Sequence, residues 1–298
     1  MSPLSSAVAI TGKTKIFGII GDPIEHSLSP PMQNAALQQL GIDGVYVPFQ
    51  VHGKGVSTAM AGLEAIGVQG FNVTIPHKQA VIPHLVELTD SARAIGAVNT
   101  VWRTEQGWAG TNTDVLGFIA PLKAQGLNWN QSRMVVLGCG GAARAVIAGC
   151  QQLGCQDIWV VGRSPEKLNR FSESWRKGPR PVPLQTAPWD SMGALLAETM
   201  LLVNTTPVGM SPHTETSPVE AADLAELPPG AIAYDLIYNP RPTQFLKLAA
   251  KRGLTTLDGF EMLVQQGAAA LEIWTQKLPP VDVMRQALAN HLGGSISG

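Results

Sequence analysis

Short apolar runs, each followed by a stretch with helical spacing, recur along the whole chain. In the first half the runs Lys15–Ile20, Gly44–Phe49 and Gly70–Ile75 read as strands. In the third, Phe71, Val73 and Ile75 alternate with Asn72 and Thr74, which sets one apolar face against an amide and a hydroxyl. Met32–Leu40 and Val56–Ile66 lie between these runs and are long enough for crossover helices. Pro76 ends the third run, and Lys78-Gln-Ala-Val-Ile reads as the start of another helix. Strand–helix–strand alternation of this kind predicts parallel pairing with right-handed crossovers.

A polar loop at Asn128–Arg133 separates the halves. The second half then reads Met134–Leu137, helix 142–153, Ile158–Val161, helix 165–176, Leu201–Asn204 and Ala231–Leu236. Its strands are short and apolar throughout, the mark of a sheet covered on both faces. Two helical patterns, Phe260–Gln276 and Val281–Leu292, follow Asp258.

The 298 residues are long for one domain, so two are expected. With 21 basic and 22 acidic residues and no basic block, nucleic acid is not an expected partner. No apolar run is long enough to span a bilayer, and Met1–Lys13 reads as a short flexible lead-in without a targeting pattern. Cys139, Cys150 and Cys155 form no CxxC pair and have no matching histidine cluster, so neither a metal nor a disulfide framework is expected. A soluble, reducing compartment, the cytoplasm, fits that usage. Charged residues are 14% against 45% hydrophobic, as in a well-buried α/β enzyme.

Candidate chemistry begins with the glycine loop after Met134–Leu137: Gly138, Cys139, Gly140, Gly141 and Ala142. A glycine-rich turn between a buried strand and a helix brings backbone N–H groups to a pyrophosphate, which the helix N-terminus stabilises. The next strand ends in Gly162-Arg163-Ser164-Pro165-Glu166-Lys167, with no carboxylate to grip a ribose 2′-hydroxyl. Arg163, Ser164 and Lys167 instead offer donors to a 2′-phosphate, which favours NADP over NAD. Ser164 and Pro165 also read as N-cap and first residue of a helix. Thr205, Thr206 and Met210 follow the third predicted strand of this half, where polar residues face the ligand crevice. At Lys78 a cation in a helix's first turn would oppose the helix dipole, lowering the lysine pKa toward proton transfer. Alone, Lys78 reads as a solvated surface lysine.

Six ordered motifs carry a resemblance over essentially the whole chain, Ile16 to about Leu292. They are Gly21-Asp-Pro-Ile-Glu-His-Ser27-Leu-Ser29-Pro30, Phe71-Asn72-Val-Thr74-Ile-Pro-His-Lys78, Gly96-Ala-Val-Asn99-Thr100 and Gly110-Thr-Asn-Thr-Asp114. Beyond the glycine loop come Asp235-Leu-Ile-Tyr238-Asn-Pro240 and Gly259-Phe-Glu-Met262-Leu-Val-Gln-Gln266. In these motifs the chain resembles the shikimate dehydrogenase family.

The resemblance implies reversible, NADP-dependent reduction of 3-dehydroshikimate to shikimate, on the route to chorismate and the aromatic amino acids. It implies two α/β domains with a cleft between them. Residues 1–113 plus 259–298 would form a mixed-sheet substrate domain, and 114–258 a Rossmann-like NADP domain. Lys78 and Asp114 would be the catalytic pair, and Ser27, Ser29, Asn72, Thr74, Asn99 and Gln266 the substrate cradle. Asp114 would also touch the substrate, Tyr238 would border substrate and nicotinamide, and Leu236, Gly259 and Asp90 would lie near the cofactor. Each residue also has a plainer reading. Ser27 and Ser29 read as helix-capping hydroxyls and Asp114 as the cap of a helix beginning near Val115. Gln266 reads as a polar helix position, and His26 and His77 as local hydrogen-bonding groups. A monomer or homodimer is expected.

Overall fold

The computed structural model describes residues 10–130, 132–176 and 184–293, so most of the lead-in Met1–Lys13 lies outside the described residues. The first sheet is built from β1 (Lys15–Gly21), β2 (Gly44–Gln50), β3 (Gly70–Val73), β4 (Glu87–Leu88), β5 (Thr100–Thr104) and β6 (Gly107–Thr111), in the order β2-β1-β3-β5-β6-β4. β1 pairs in parallel with β2 and β3, as the strand–helix–strand spacing requires, with α1 (Ser29–Gln39) and α2 (Val56–Ala65) as crossovers. On the other side β3 with β5 and β5 with β6 are antiparallel, so the sheet is mixed, as the family resemblance implies. The β5–β6 hairpin turns through Gly107, whose φ of 135° suits glycine. One apolar layer under this sheet gathers Ile20, Met60, Leu63, Phe71, Val101 and Trp108.

Two expectations around Pro76 fail. β3 stops at Val73, and no helix follows Lys78; the chain runs through turns to a single 3₁₀ turn at Ile82–His84. The Lys78 carbonyl accepts from Val98 N–H at 2.8 Å and Ile82 N–H closes on Gln79, so the single helical bond from Val81 N–H to the His77 carbonyl is not continued. The helix-dipole argument for Lys78 therefore falls.

After α3 (Asp90–Ile95) and α4 (Asp114–Ala124), the second sheet comprises β7 (Arg133–Leu137), β8 (Asp157–Gly162), β9 (Leu184–Pro188), β10 (Thr199–Asn204), β11 (Ile232–Asp235) and β12 (Thr255–Leu257). All pairs are parallel, in the order β12-β11-β10-β7-β8-β9. This is the doubly wound Rossmann order, which reverses between β7 and β10. The crossovers and flanking helices include α5 (Gly141–Gln152), α6 (Pro165–Arg176), α7 (Gly193–Leu196), α8 (Ala221–Ala225) and α9 (Gln244–Lys251). Alternate strand residues fill two separate cores: Met134, Val136, Val203 and Tyr234 on one face, Val135, Leu137, Leu202 and Ala233 on the other. A sheet buried on both sides needs no polar alternation, which is why these strands read as unbroken apolar runs.

α10 (Gly259–Thr275) and α11 (Val281–His291) end the described chain, and α11 packs on α1. The chain divides into two compact units, one of residues 1–92, 97–113 and 267–298 and another of 93–96 and 114–266. The second unit thus reaches into α10 as far as Gln266. Arg144 explains the inclusion of 93–96. Its guanidinium donates to the Ile95 carbonyl at 2.9 Å and lies over the rings of Phe171 and Trp175.

Candidate active site

In the first unit Ser27, Ser29, Asn72, Thr74 and Asn99 lie on the segments at the carboxyl ends of β1 and β3, while Asp114, Tyr238 and Gln266 belong to the second unit. Thr74 N–H donates to the Ile20 carbonyl at 2.9 Å, and Asp22 N–H to the Ile75 carbonyl at 3.0 Å. The loop carrying Ser27 and the turn carrying Lys78 therefore leave the sheet side by side. A Cβ at Gly21 would collide with the Thr74 side chain, so only glycine permits this approach. Ser27 and Lys78 are half-buried and Ser29 is buried. The N-cap of α1 is Leu28, with no side-chain bond, while the Ser27 hydroxyl accepts from the N–H of Ser29, the helix's first residue, at 3.4 Å. His77 is buried with its Nε2 at 2.5 Å from the Val51 carbonyl, the local role expected of it.

Beneath that surface lies a buried, uncharged network. Tyr46, 1% exposed, donates its hydroxyl to Asn72 Oδ1 at 2.7 Å. The Asn72 amide donates to the Asn99 carbonyl at 3.1 Å and to Thr100 Oγ1 at 3.2 Å. Asn99 Nδ2 donates to Thr113 Oγ1 at 3.0 Å, and Asn99 Oδ1 accepts from Thr113 N–H at 2.7 Å. Burial pushes the Tyr46 phenol well above its ordinary pKa, against a smaller lowering from Ser29. It stays protonated as a donor. Asn72 and Asn99 are thereby held in single orientations, and their partners Tyr46, Thr100 and Thr113 are residues that sequence reasoning gave no role. The signal for Tyr46 is a tyrosine at an inward position of β2; a buried phenol requires a partner.

The second unit assembles the predicted nucleotide residues at the point where the strand order reverses. Gly138, with φ of 103°, begins the glycine loop, and its N–H donates to the Val161 carbonyl at 2.8 Å. A Cβ there would lie 2.9 Å from Thr205 Oγ1 and 3.0 Å from Thr206 Cγ2. The loops after β7 and β10 therefore touch only because position 138 is glycine. Thr205 donates through both N–H and hydroxyl to the Leu137 carbonyl, at 3.0 and 2.7 Å. Leu236 N–H reaches the Asn204 carbonyl at 3.1 Å, and Gly259 N–H the Ile237 carbonyl at 3.1 Å. A Cβ at Gly259 would collide with the Leu236 carbonyl, so Leu236 and Gly259 are neighbours by the same logic. Tyr238 is half-buried, and burial raises its phenol pKa. Met210 is exposed at the far end of the β10 loop.

The donors at the end of β8 suit a nucleotide 2′-phosphate. Ser164 caps α6 by accepting from Lys167 N–H at 3.3 Å, while Arg163 and Lys167 are exposed cations beside that helix N-terminus. Asp157, the strand's acidic residue, stands at its opposite end, paired with Arg133. The fit is to NADP: a glycine cradle for the pyrophosphate and two cations with a helix N-terminus for the phosphate, while the one carboxylate in the first turn of α6, Glu166, is paired with Arg170.

Asp114 is the first residue of α4 and is 7% exposed, so the helix begins one residue earlier than expected, at Asp114 itself. Gln266 closes the second unit within α10 and donates to the Leu263 carbonyl. Met262 packs against the core that holds Phe118. Asp90 lies in the first unit, exposed at the start of α3, apart in sequence from the other nucleotide candidates. Among the described residues no His, Cys, Asp or Glu cluster could hold a metal, and no helix is long and apolar enough to cross a membrane.

Known proteins share this arrangement. Residues 19–101 match the shikimate dehydrogenase substrate binding domain, and 259–289 the shikimate 5'-dehydrogenase C-terminal domain. A shikimate dehydrogenase (NADP(+)) of Microcystis aeruginosa is 58% identical over 94% of this chain and 98% of its own length. The chain belongs to the shikimate dehydrogenase family. The shikimate dehydrogenase (NADP(+)) of Crocosphaera subtropica is similar at 56% identity, over 95% of this chain and 98% of its own. Among solved structures, shikimate 5-dehydrogenase from Thermus thermophilus, in complex with NADP(H) and shikimate, superposes with a TM-score of 0.82. It is 34% identical, covering 93% of this chain and 99% of that one. The mixed sheet and the doubly wound sheet described above are the two α/β folds of shikimate dehydrogenases.

Proposed function

We propose that this chain catalyses the reversible NADPH-dependent reduction of 3-dehydroshikimate to shikimate. The carrying observation is that relatives named shikimate dehydrogenase (NADP(+)) align with it from end to end at more than half identity. In this reading the first unit binds the polyol carboxylate and the second the dinucleotide. Bound NADP supplies the hydride chemistry. The chain's own residues handle the rest. Lys78 and Asp114 act together on the proton of the reacting hydroxyl, so the proton transfer belongs to the pair. Ser27, Ser29, Thr74, Asn72, Asn99, Tyr238 and Gln266 supply neutral donors and acceptors for hydroxyls and carboxylate. A site of this kind rejects analogues lacking a hydroxyl, because its own polar groups are then left unpaired. Arg163, Ser164 and Lys167 select the 2′-phosphate; Gly138 to Ala142, Gly162, Thr205, Thr206, Met210, Leu236, Gly259 and Asp90 shape the rest of the cofactor site.

The balanced charge supports a small-molecule enzyme with no nucleic-acid partner, acting in the cytoplasm as a monomer or homodimer. Purified protein is mixed with shikimate and NADP and the formation of reduced nicotinamide is followed by its absorbance, with NAD and quinate in parallel. Rapid reduction confined to shikimate with NADP is the expected outcome. Comparable turnover of quinate or NAD would overturn the assigned specificity. Tight ligand binding with no turnover would replace the enzyme by a metabolite sensor.

A further inference from the structure

One buried acid lies outside the proton chemistry and outside every contact assigned above. Asp235, the last residue of β11, is 0% exposed. Its Oδ1 accepts from Asn204 Nδ2 at 3.0 Å and from Ile237 N–H at 3.1 Å, and its Oδ2 accepts from the Thr243 hydroxyl at 2.7 Å. Each donor sits at a different place in the chain. Asn204 ends β10, Ile237 begins the loop after β11, and Thr243, also 0% exposed, ends that loop as the N-cap of α9.

The bonds continue outward. Asn204 Oδ1 accepts from Thr206 N–H at 3.0 Å and from its hydroxyl at 2.7 Å, and Asn204 Nδ2 also reaches the Val208 carbonyl at 3.3 Å. Asp235 fixes which end of the Asn204 amide faces Thr206, because only the amide nitrogen can donate to a carboxylate. Removing that acceptor leaves the Asn204 amide nitrogen with the longer bond to the Val208 carbonyl alone, and so loosens the residue on which Thr206 is held.

A buried carboxylate is a poor way to gain stability, since its desolvation cost rivals what its hydrogen bonds return. What it provides here is registration. Three donors on two loops converge on one group, and those loops carry Thr205, Thr206, Met210, Leu236 and Tyr238.

We infer that Asp235 is a positioning residue of the dinucleotide site, holding the loops 204–210 and 236–243 in the one arrangement that accepts the cofactor. The inference rests on the proposed NADP-dependent activity. Asp235 lies outside the proton path, and of the substrate cradle it holds only the loop that carries Tyr238, so its effect falls mainly on NADP and to a smaller extent on shikimate.

NADP and shikimate dissociation constants are measured separately by calorimetry for the native chain, Asp235→Ala, Asp235→Asn and Thr243→Val. Asp235→Ala is expected to weaken NADP binding on the order of tenfold or more, the loss of at least one net hydrogen bond. Shikimate binding, which draws on Tyr238 alone among these loop residues, should weaken clearly less than NADP binding. Asp235→Asn keeps Oδ1 for Asn204 and Ile237, and its amide donates to a rotated Thr243 hydroxyl; it should restore most of the NADP affinity. Thr243→Val keeps the volume, removes one anchor and should weaken NADP about threefold. It keeps the inference falsifiable if Asp235→Ala does not fold. Unchanged NADP affinity in the folded Asp235→Ala or in Thr243→Val, or equal loss of both ligands, overturns the positioning role while leaving the activity intact. A native chain that binds no NADP overturns both.

Discussion

The two units hold their polar interiors in opposite ways. In the first, Tyr46, Asn72, Asn99, Thr100 and Thr113 make a network of hydroxyls and amides in which no member carries a charge. In the second, one carboxylate, Asp235, is the convergence point of three donors. A neutral network is fully satisfied at every pH at which the protein folds. A charged hub gives stronger individual bonds but changes when it takes up a proton. A neutral cradle suits the polyol proposed as substrate, whereas a charged hub fixes two loops that have no regular structure of their own.

The comparison breaks most sharply at Lys78. Lys78→Ala is expected to lower turnover by about 10²–10⁴-fold, the range of general acid–base catalysis, with shikimate and NADP affinities largely retained. Steady-state kinetics and calorimetry on one preparation check this, and near-native turnover would remove Lys78 from the mechanism. The second unit answers to a different change. Arg163→Ala should raise the KM for NADP about tenfold or more and leave that for NAD and for shikimate in place. Equal effects on both nucleotides would mean that Arg163 does not read the 2′-phosphate.

A smaller effect is expected inside the neutral network. Tyr46→Phe leaves Asn72 Oδ1 without its donor and should cost about 2 kcal/mol in urea unfolding. It should also weaken shikimate several-fold while NADP affinity is unmoved. A loss that fell on NADP instead would erase the distinction between the units.

The smallest effect concerns pH and sharpens the contrast. Burial pushes the Asp235 carboxyl up to about 6, with nearby Asp258 adding to the rise and the bonds from Thr243, Ile237 and Asn204 opposing it. The ordinary aspartate value, taken for the unfolded chain, is 3.8. The folded state therefore holds this proton more tightly. The associated stability is complete below about pH 4 and is lost as pH rises through about 6. Relative to Asp235→Asn, the native chain should lose about 1 kcal/mol between about pH 5 and about pH 7.5. The difference between Tyr46→Phe and the native chain should stay flat over the same range. Denaturant midpoints at the two pH values measure both, and a flat Asp235 difference would mean that the carboxyl titrates normally.

Much of this was readable before folding. The apolar runs of the second unit became β7, β8, β10 and β11, and Ser164 caps α6 as its place before Pro165 requires. The strand missed at Leu184–Pro188 and the hairpin of β5 and β6 lack strong periodicity; each is held by the neighbour it pairs with. The helix expected after Pro76 is instructive. Lys78-Gln-Ala-Val-Ile has adequate propensity, yet the Lys78 carbonyl is turned to Val98 N–H and Ile82 N–H closes on Gln79 in place of Lys78.

Local pattern and motif spacing determined the two α/β halves, the glycine loop after β7, the cap of α6 and the family. All of these depend on residues close together in sequence, where periodicity, capping and glycine content act. Folding alone decided that β3 takes β5 as an antiparallel partner, and that Tyr46 fixes Asn72. It also decided that Asp235, Asn204 and Thr243 meet at one carboxylate. Those contacts join residues 8 to 31 positions apart. Their energy comes from leaving water together, a condition that exists only once the sheets have formed.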